Sequence, residues 1–202
     1  MGGGDVTSAL PEDKRRALDD YPTPRWAIDA ILDYLPIGRD SFVLEPACGA
    51  GGVFRSLIDR GVDSSRLHGI EISEERANQA RATGAGVLTA DALDDETMWP
   101  PADLIVSNPP FRQAEAFCRK ALTSVNKGGT VAMLLRLAFL ESAERYAFHR
   151  DYPVTGLWVF SSRPSFTANG KTDSAAYAWF VWSPFPDGIH ILPPNEKKRG
   201  AK

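Results

Sequence analysis

Short apolar runs alternate along the chain with stretches in which apolar positions recur every three or four residues. Trp26, Ile28, Ile31, Leu32 and Leu35 fall at helical spacing behind Pro24, a residue suited to a first helical turn, so a helix is expected over Trp26 to Tyr34. Ser41 to Leu44 is then a buried strand that runs into Glu45-Pro46-Ala47-Cys48-Gly49-Ala50-Gly51-Gly52, followed by helical Val53 to Arg60. The alternation continues with strand Leu67 to Ile70 ending in Glu71 and a helix through Arg81. Strand Gly86 to Ala90 ends in Asp91, and strand Leu104 to Ser107 ends at Asn108-Pro109-Pro110-Phe111. A helix from about Gln113 to Val125 precedes Gly128-Gly129, a helix-capping signal, and strand Thr130 to Leu135. After a helix around Phe139 to His149, two more strands are expected at Gly156 to Phe160 and Ala175 to Trp182, forming a terminal hairpin.

Strands alternating with helices of this length predict an α/β fold, a doubly wound and mostly parallel sheet covered on both faces. The pattern does not encode the order of the strands. In such sheets ligands bind beyond the carboxyl ends of the strands. Glu45 with its glycine loop, Glu71, Asp91 and the Asn108 to Phe111 turn should therefore share one edge. The pattern divides the chain into a flexible tail over residues 1–18, one domain over 19–192 and a basic tail over 193–202 that holds Lys197, Lys198, Arg199 and Lys202.

Composition narrows the partners. The 202 residues carry 23 Lys and Arg against 26 Asp and Glu, a net charge of −3, so no whole-molecule basic field attracts a polyanion and any nucleic-acid contact must be local. Apolar runs such as Val131 to Leu135 are far shorter than the roughly 20 residues of a membrane-spanning helix, so no membrane partner is expected. Two cysteines, Cys48 and Cys118, form neither a disulfide framework nor a zinc cage, and no metal is expected. The first residues lack a basic-then-apolar signal, which points to the cytoplasm. Nothing in the pattern specifies an oligomeric state.

The turn Gly49-Ala50-Gly51-Gly52 lets backbone N–H groups approach a ligand, and Glu71, twenty residues beyond Gly51, is placed to bind ribose hydroxyls. Taken singly, the glycines also suit an ordinary tight turn and Glu71 a surface carboxylate. The dinucleotide fingerprint wants a third glycine where this chain has Phe54, which argues against a nicotinamide cofactor. The informative turn is Asn108-Pro109-Pro110-Phe111. Neither proline donates a backbone hydrogen bond and both have fixed φ, so the turn is stiff and rich in acceptors. The Asn108 side-chain oxygen and the Pro109 carbonyl suit the two hydrogens of a planar –NH2 group. Accepting both would favour a pyramidal nitrogen and aim its lone pair at an electrophile, with Phe111 as the stacking face.

In that order, Tyr21-Pro22-Thr23-Pro24, Leu44-Glu45-Pro46-Ala47-Cys48-Gly49-Ala50-Gly51, Glu71, Asp91 and Asn108-Pro109-Pro110-Phe111 resemble the class I S-adenosylmethionine-dependent methyltransferases. The resemblance is to their amino-methyltransferases with an Asn-Pro-Pro-aromatic motif, above all the short DNA adenine-N6 methyltransferases of phages and prophages. It spans Tyr21 to about Trp182 and implies a seven-stranded Rossmann-like sheet with an antiparallel C-terminal hairpin. It also implies S-adenosylmethionine as cofactor and DNA as partner, with RNA adenine or a protein glutamine as alternative acceptors. A cofactor-binding scaffold without catalysis is a further alternative.

By the same resemblance Tyr21 and Thr23 lie over the methionine part of the cofactor, and Glu45, Pro46, Ala47, Gly49 and Gly51 line its methionine and ribose. Glu71 binds the ribose hydroxyls, Ile72 packs on the adenine and Asp91 holds the adenine amine. Asn108, Pro109, Pro110 and Phe111 form the catalytic turn, and Asn108 also borders the cofactor. Phe111 stands where many relatives have Tyr, which keeps the ring and removes the hydroxyl. In the segment from Arg163 to Ser174, Phe166 is expected to back a flipped base from the side opposite Phe111, while Arg163 and Lys171 meet phosphates. No separate target-recognition domain is expected.

Overall fold

The computed structural model describes residues 22–166, 175–185 and 188–195. Pro24 opens helix α1 (Arg25–Leu32), which buries Ala27, Ile28, Ile31 and Leu32 on one side. The Trp179 indole N–H donates to the Ala27 carbonyl at 2.9 Å and fixes this helix on the sheet. There follow β1 (Val43–Glu45), α2 (Gly52–Ile58), β2 (Leu67–Glu71), α3 (Glu74–Arg81), β3 (Gly86–Thr89), β4 (Ala102–Ser107) and α4 (Ala114–Ser124). The chain continues through β5 (Val125–Arg136), α5 (Tyr146–Asp151), β6 (Gly156–Phe160), β7 (Tyr177–Trp182) and β8 (Gly188–Leu192).

The strands form one sheet in the order β3-β2-β1-β4-β5-β7-β6-β8. All neighbouring pairs are parallel except those of β7, which runs antiparallel to both β5 and β6. The order reverses between β1 and β4, so connections leave their carboxyl ends in opposite directions and open a crevice there. Side chains alternate across the sheet. Leu104, Val106, Ala132, Leu134, Tyr177 and Trp179 join the core beneath α1 and α2, whereas Ile105, Val131, Met133, Ala178 and Phe180 join the core beneath α4. Every residue of β7 is buried, which is why this strand reads as a continuous apolar run.

Three features differ from the sequence pattern. The sheet has an eighth strand, β8, parallel to β6. Its Ile189 and Ile191 are exposed, so it lacks the buried alternation that marks a strand in sequence. Gly128-Gly129 does not cap a helix. Strand β5 already begins at Val125, and its register on β4 shifts between Ala102 and Leu104. Gly128 takes φ 82° at this irregularity, and a Cβ on Gly129 would lie 2.8 Å from the Asp103 carbonyl oxygen. Lastly, the helix expected around Phe139 to His149 divides into a 3-10 turn, Leu137–Leu140, and the short α5. Among the described residues no helix is long and apolar enough to cross a membrane, and no cluster of three or more His, Cys, Asp and Glu is placed to hold a metal ion.

Candidate active site

The loop after β1 is held by its own backbone and by β2. Cys48 N–H donates to the Ile70 carbonyl at 3.1 Å, and Gly51 N–H donates to the Cys48 carbonyl at 2.8 Å. Gly51 has φ 79°, and a Cβ there would lie 3.1 Å from Ala80 Cα on α3, so only glycine suits both its conformation and its packing. Phe54, fully buried on α2, fills the place where the dinucleotide fingerprint leaves a glycine. The space comes from the strand instead: a Cβ on Gly69 of β2 would lie 2.8 Å from Phe54 Cζ and 2.7 Å from Cys48 Sγ. The close approach of helix and strand survives with the glycine moved across the contact.

Two carboxylates end β1 and β2. Glu71 is nearly buried and anchored: Oε2 accepts from Gly49 N–H at 2.9 Å, while Oε1 accepts from Ser73 N–H at 2.9 Å and from Arg76 Nε and Nη2 at 3.0 and 2.6 Å. The carboxylate thus ties the glycine loop to the start of α3. Glu45 is only 4% exposed, and its Oε2 has no hydrogen-bond partner among the described residues. Burial, reinforced by the neighbouring Glu71 charge, pushes its pKa well above the usual carboxyl value, and Arg55 opposes the shift. Burial likewise pushes up the Cys48 thiol, which makes it packing material rather than a nucleophile.

Ile72 and Asp91 lie beyond the ends of β2 and β3. Ile72 is 55% exposed at the crevice edge, an apolar side chain left uncovered by the protein. Asp91 Oδ1 accepts from Leu93 N–H at 2.9 Å, which makes the turn that begins the next loop. That loop is clamped by a residue the sequence did not single out. Lys120 on α4 donates from Nζ to the carbonyls of Ala92, Asp94 and Thr97 at 2.8, 2.9 and 3.0 Å. It lies 5.5 Å from the Trp99 ring centre, and Trp99 itself donates to the Ala92 carbonyl. The helix that follows the Asn-Pro-Pro turn therefore braces the loop that follows Asp91.

At the end of β4, Asn108 Nδ2 donates to Thr23 Oγ1 at 2.9 Å, while Asn108 Oδ1 is buried with no hydrogen-bond partner among the described residues. The Pro110 carbonyl accepts from Gln113 N–H at 2.9 Å, closing the turn. Phe111 is half-buried, with its ring centre 5.4 Å from that of Tyr177 and 6.1 Å from that of Phe166. Phe111 and Phe166 meet at 75°, edge to face, and Phe166 is 5% exposed. They do not form the parallel slot expected of two stacking plates, because Phe166 packs on Tyr177 at 4.8 Å instead. Arg136, also unforeseen, holds its guanidinium carbon 4.8 Å from the Phe111 ring centre. Arg163 is exposed three residues before Phe166.

The structure thus brings Thr23, Glu45, Gly49, Gly51, Glu71, Asn108 and Phe111 to one sheet edge, with Pro46, Ala47, Ile72, Asp91, Pro109 and Pro110 in the same connections. Tyr21 and Lys171 lie outside the described residues, as do residues 1–18 and the cationic tail from Lys197 onward.

No protein-family model matches the chain, and neither does any curated protein. Solved structures do match. A Listeria monocytogenes protein assigned to the class I S-adenosylmethionine-dependent methyltransferases superposes with a TM-score of 0.65 at 14% identity, over 84% of this chain and 64% of that one. The M protein of the type I restriction enzyme EcoKI gives a TM-score of 0.67 at 16% identity, over 81% of this chain and 44% of that one. The 23S rRNA methyltransferase ErmE gives 0.59 at 22% identity, over 83% and 71%. The chain spans less than two thirds of the length of the first two. The fold is that of the class I S-adenosylmethionine-dependent methyltransferases.

Proposed function

We propose that this chain is an S-adenosylmethionine-dependent N-methyltransferase whose acceptor is the exocyclic N6 amine of adenine in DNA. The observation that carries the reading is Asn108 Oδ1, a buried acceptor without a partner among the described residues, at the start of the turn that carries Phe111 and oriented by the bond from its own Nδ2 to Thr23. Leaving such an acceptor unmade is costly in a folded protein unless a ligand completes it.

The cofactor fits the residues at the neighbouring strand ends. Glu45 would offer a cationic group a buried carboxyl oxygen that has no partner among the described residues, the Gly49 to Gly51 turn would give room for close approach, and Ile72 would offer an apolar surface to an adenine ring. Glu71 orients the loop and would meet the ribose hydroxyls, with Asp91 at the adenine amine. Bound there, the cofactor supplies an activated methyl group on a sulfonium.

Asn108 Oδ1 and the Pro109 carbonyl would accept the two hydrogens of the acceptor amine and turn its lone pair toward the methyl carbon. Once methylated, the nitrogen held by Asn108 and Pro109 would release its proton to solvent. No base is needed before attack, which accounts for a turn made of dipoles rather than histidine or carboxylate. Holding donor and acceptor together is worth about 7–11 kcal/mol of barrier in well-oriented systems. Phe111 would stack the flipped base, and Arg163 with Lys171 would meet phosphates.

RNA adenine is the second reading, favoured by the likeness to the 23S rRNA methyltransferase. Incubation with methyl-tritiated cofactor and either duplex DNA, single-stranded RNA or total cell protein separates these acceptors. Label in DNA, recovered as N6-methyladenine, is the expected result. Label confined to RNA establishes the second reading, and label confined to protein excludes both.

A further inference from the structure

The ring proposed to stack a base already carries a planar group. The Arg136 guanidinium carbon stands 4.8 Å from the Phe111 ring centre. Arg136 ends β5 opposite Tyr177 on the antiparallel ladder, and its Nε donates to the Tyr177 hydroxyl at 3.3 Å. The aromatic neighbours of Phe111 are fixed: Tyr177 is 1% exposed and Phe166 5%. Arg136, by contrast, is an exposed residue on a long side chain at the crevice edge. Of the three groups on Phe111, Arg136 is thus the only one that solvent reaches.

We propose that Arg136 is a place-holder for the target base. The base takes the Phe111 face, and the displaced guanidinium binds the backbone phosphate beside the flipped nucleotide. The inference rests on the nucleic-acid reading above and adds the group that links base capture to phosphate recognition. Stacking of a nucleobase on Phe111 exceeds the guanidinium's own contact with that ring, and the phosphate takes up the hydrogen-bonding capacity that the guanidinium gives up at the Tyr177 hydroxyl. The guanidinium fork matches phosphate oxygens pairwise, a geometry a lysine lacks. The chain's net charge of −3 makes such local cations the source of its attraction for a polyanion. Arg112 after β4 and Arg163 after β6 are exposed in the flanking connections, so Arg136 sits between two further cations along the edge.

The test measures binding of an adenine-containing duplex oligodeoxynucleotide across a salt series, for the wild-type chain, Arg136→Met and Arg136→Lys. Cofactor binding and methyl transfer to the same oligonucleotide are followed in parallel. The inference predicts that Arg136→Met flattens the plot of log affinity against log salt by about 0.9, the share of one phosphate contact, while cofactor affinity is unchanged. Arg136→Lys is expected to keep the slope and bind severalfold more weakly, having the charge without the fork. If wild-type chain methylates the oligonucleotide and Arg136→Met keeps the full slope, the place-holder role is overturned and the proposed function stands. If Arg136→Met loses cofactor binding, the lysine variant decides: affinity equal to wild type overturns the role, and weaker binding at equal slope supports it. If the wild-type chain neither binds nor methylates the oligonucleotide, the DNA reading falls and this inference with it.

Discussion

Asn108 Nδ2 donates to Thr23 Oγ1 at 2.9 Å across 85 residues of chain, so the segment ahead of α1 sets the orientation of the amide that ends β4. The bond engages one of the amide's two N–H donors and leaves Oδ1, buried and unpartnered among the described residues, as the acceptor. Thr23 is itself held in place through α1, which Trp179 pins to the sheet. Thr23→Val removes the acceptor for Nδ2 while keeping the side-chain volume. A net hydrogen bond of about 1 kcal/mol corresponds to roughly a fivefold fall in turnover, and Thr23→Ser should restore most of it. Steady-state methyl transfer by the two variants checks this, and equal turnover in Thr23→Val would refute the orienting bond.

The buried Glu45 carboxyl gives a pH prediction. Its pKa is raised in the folded chain, so between the ordinary value of 4.5 and the higher folded value the folded state binds more protons than the unfolded one. Stability without cofactor must then fall as pH rises through that window. Glu45→Gln removes the slope. A cationic cofactor favours the ionised carboxylate, so its affinity should rise with pH in the wild-type chain, with release of a proton, and should be flat in Glu45→Gln. Titration calorimetry in buffers of different protonation enthalpy measures the proton directly. Binding without proton release in the wild-type chain would contradict the assignment.

Gly69→Ala should destabilise the loop rather than the chemistry. The added Cβ meets Cys48 Sγ at 2.7 Å and Phe54 Cζ at 2.8 Å inside the core, where overpacking costs about 1–3 kcal/mol. Combining it with Cys48→Ala relieves the nearer clash, so urea unfolding of the single and double variants should show a favourable coupling between the two sites. Strict additivity would place the strain elsewhere.

Lys120→Met keeps the apolar stem of the side chain and removes the ammonium that gathers three loop carbonyls. The expected result is a rise of about tenfold in the cofactor KM with kcat little changed, since the loop beyond Asp91 loosens while the Asn108 turn does not. The same fall in kcat and in kcat/KM would instead place Lys120 in the transfer step.

Most of the proposed site was legible in the sequence because the residues concerned interrupt strands. Glu45, Glu71, Asp91 and Asn108 each follow an apolar run and precede a helix or turn, and this alternation alone assigns them to one sheet edge. Strand order was not legible, since local periodicity carries no information on which strands pair. Phe54 looked like a departure from a glycine fingerprint until the structure showed that Gly69, on the strand across from it, supplies the missing space. Lys120 and Arg136 resemble solvated cations in sequence. Their roles arise from a loop and a ring brought to them by the fold. Strand β8 is illegible in sequence for the opposite reason: its isoleucines face outward, so burial leaves no mark on its pattern.

The orphaned Asn108 oxygen is the point on which the enzymatic reading turns. Methyl transfer to adenine-containing DNA and S-adenosylmethionine affinity, measured together for the wild-type chain and Asn108→Ala, test it most directly. Loss of one preorganised polar contact to a reacting group predicts a fall in turnover of about 100-fold or more, with cofactor affinity within a few-fold of wild type. Turnover unchanged in Asn108→Ala would contradict the account.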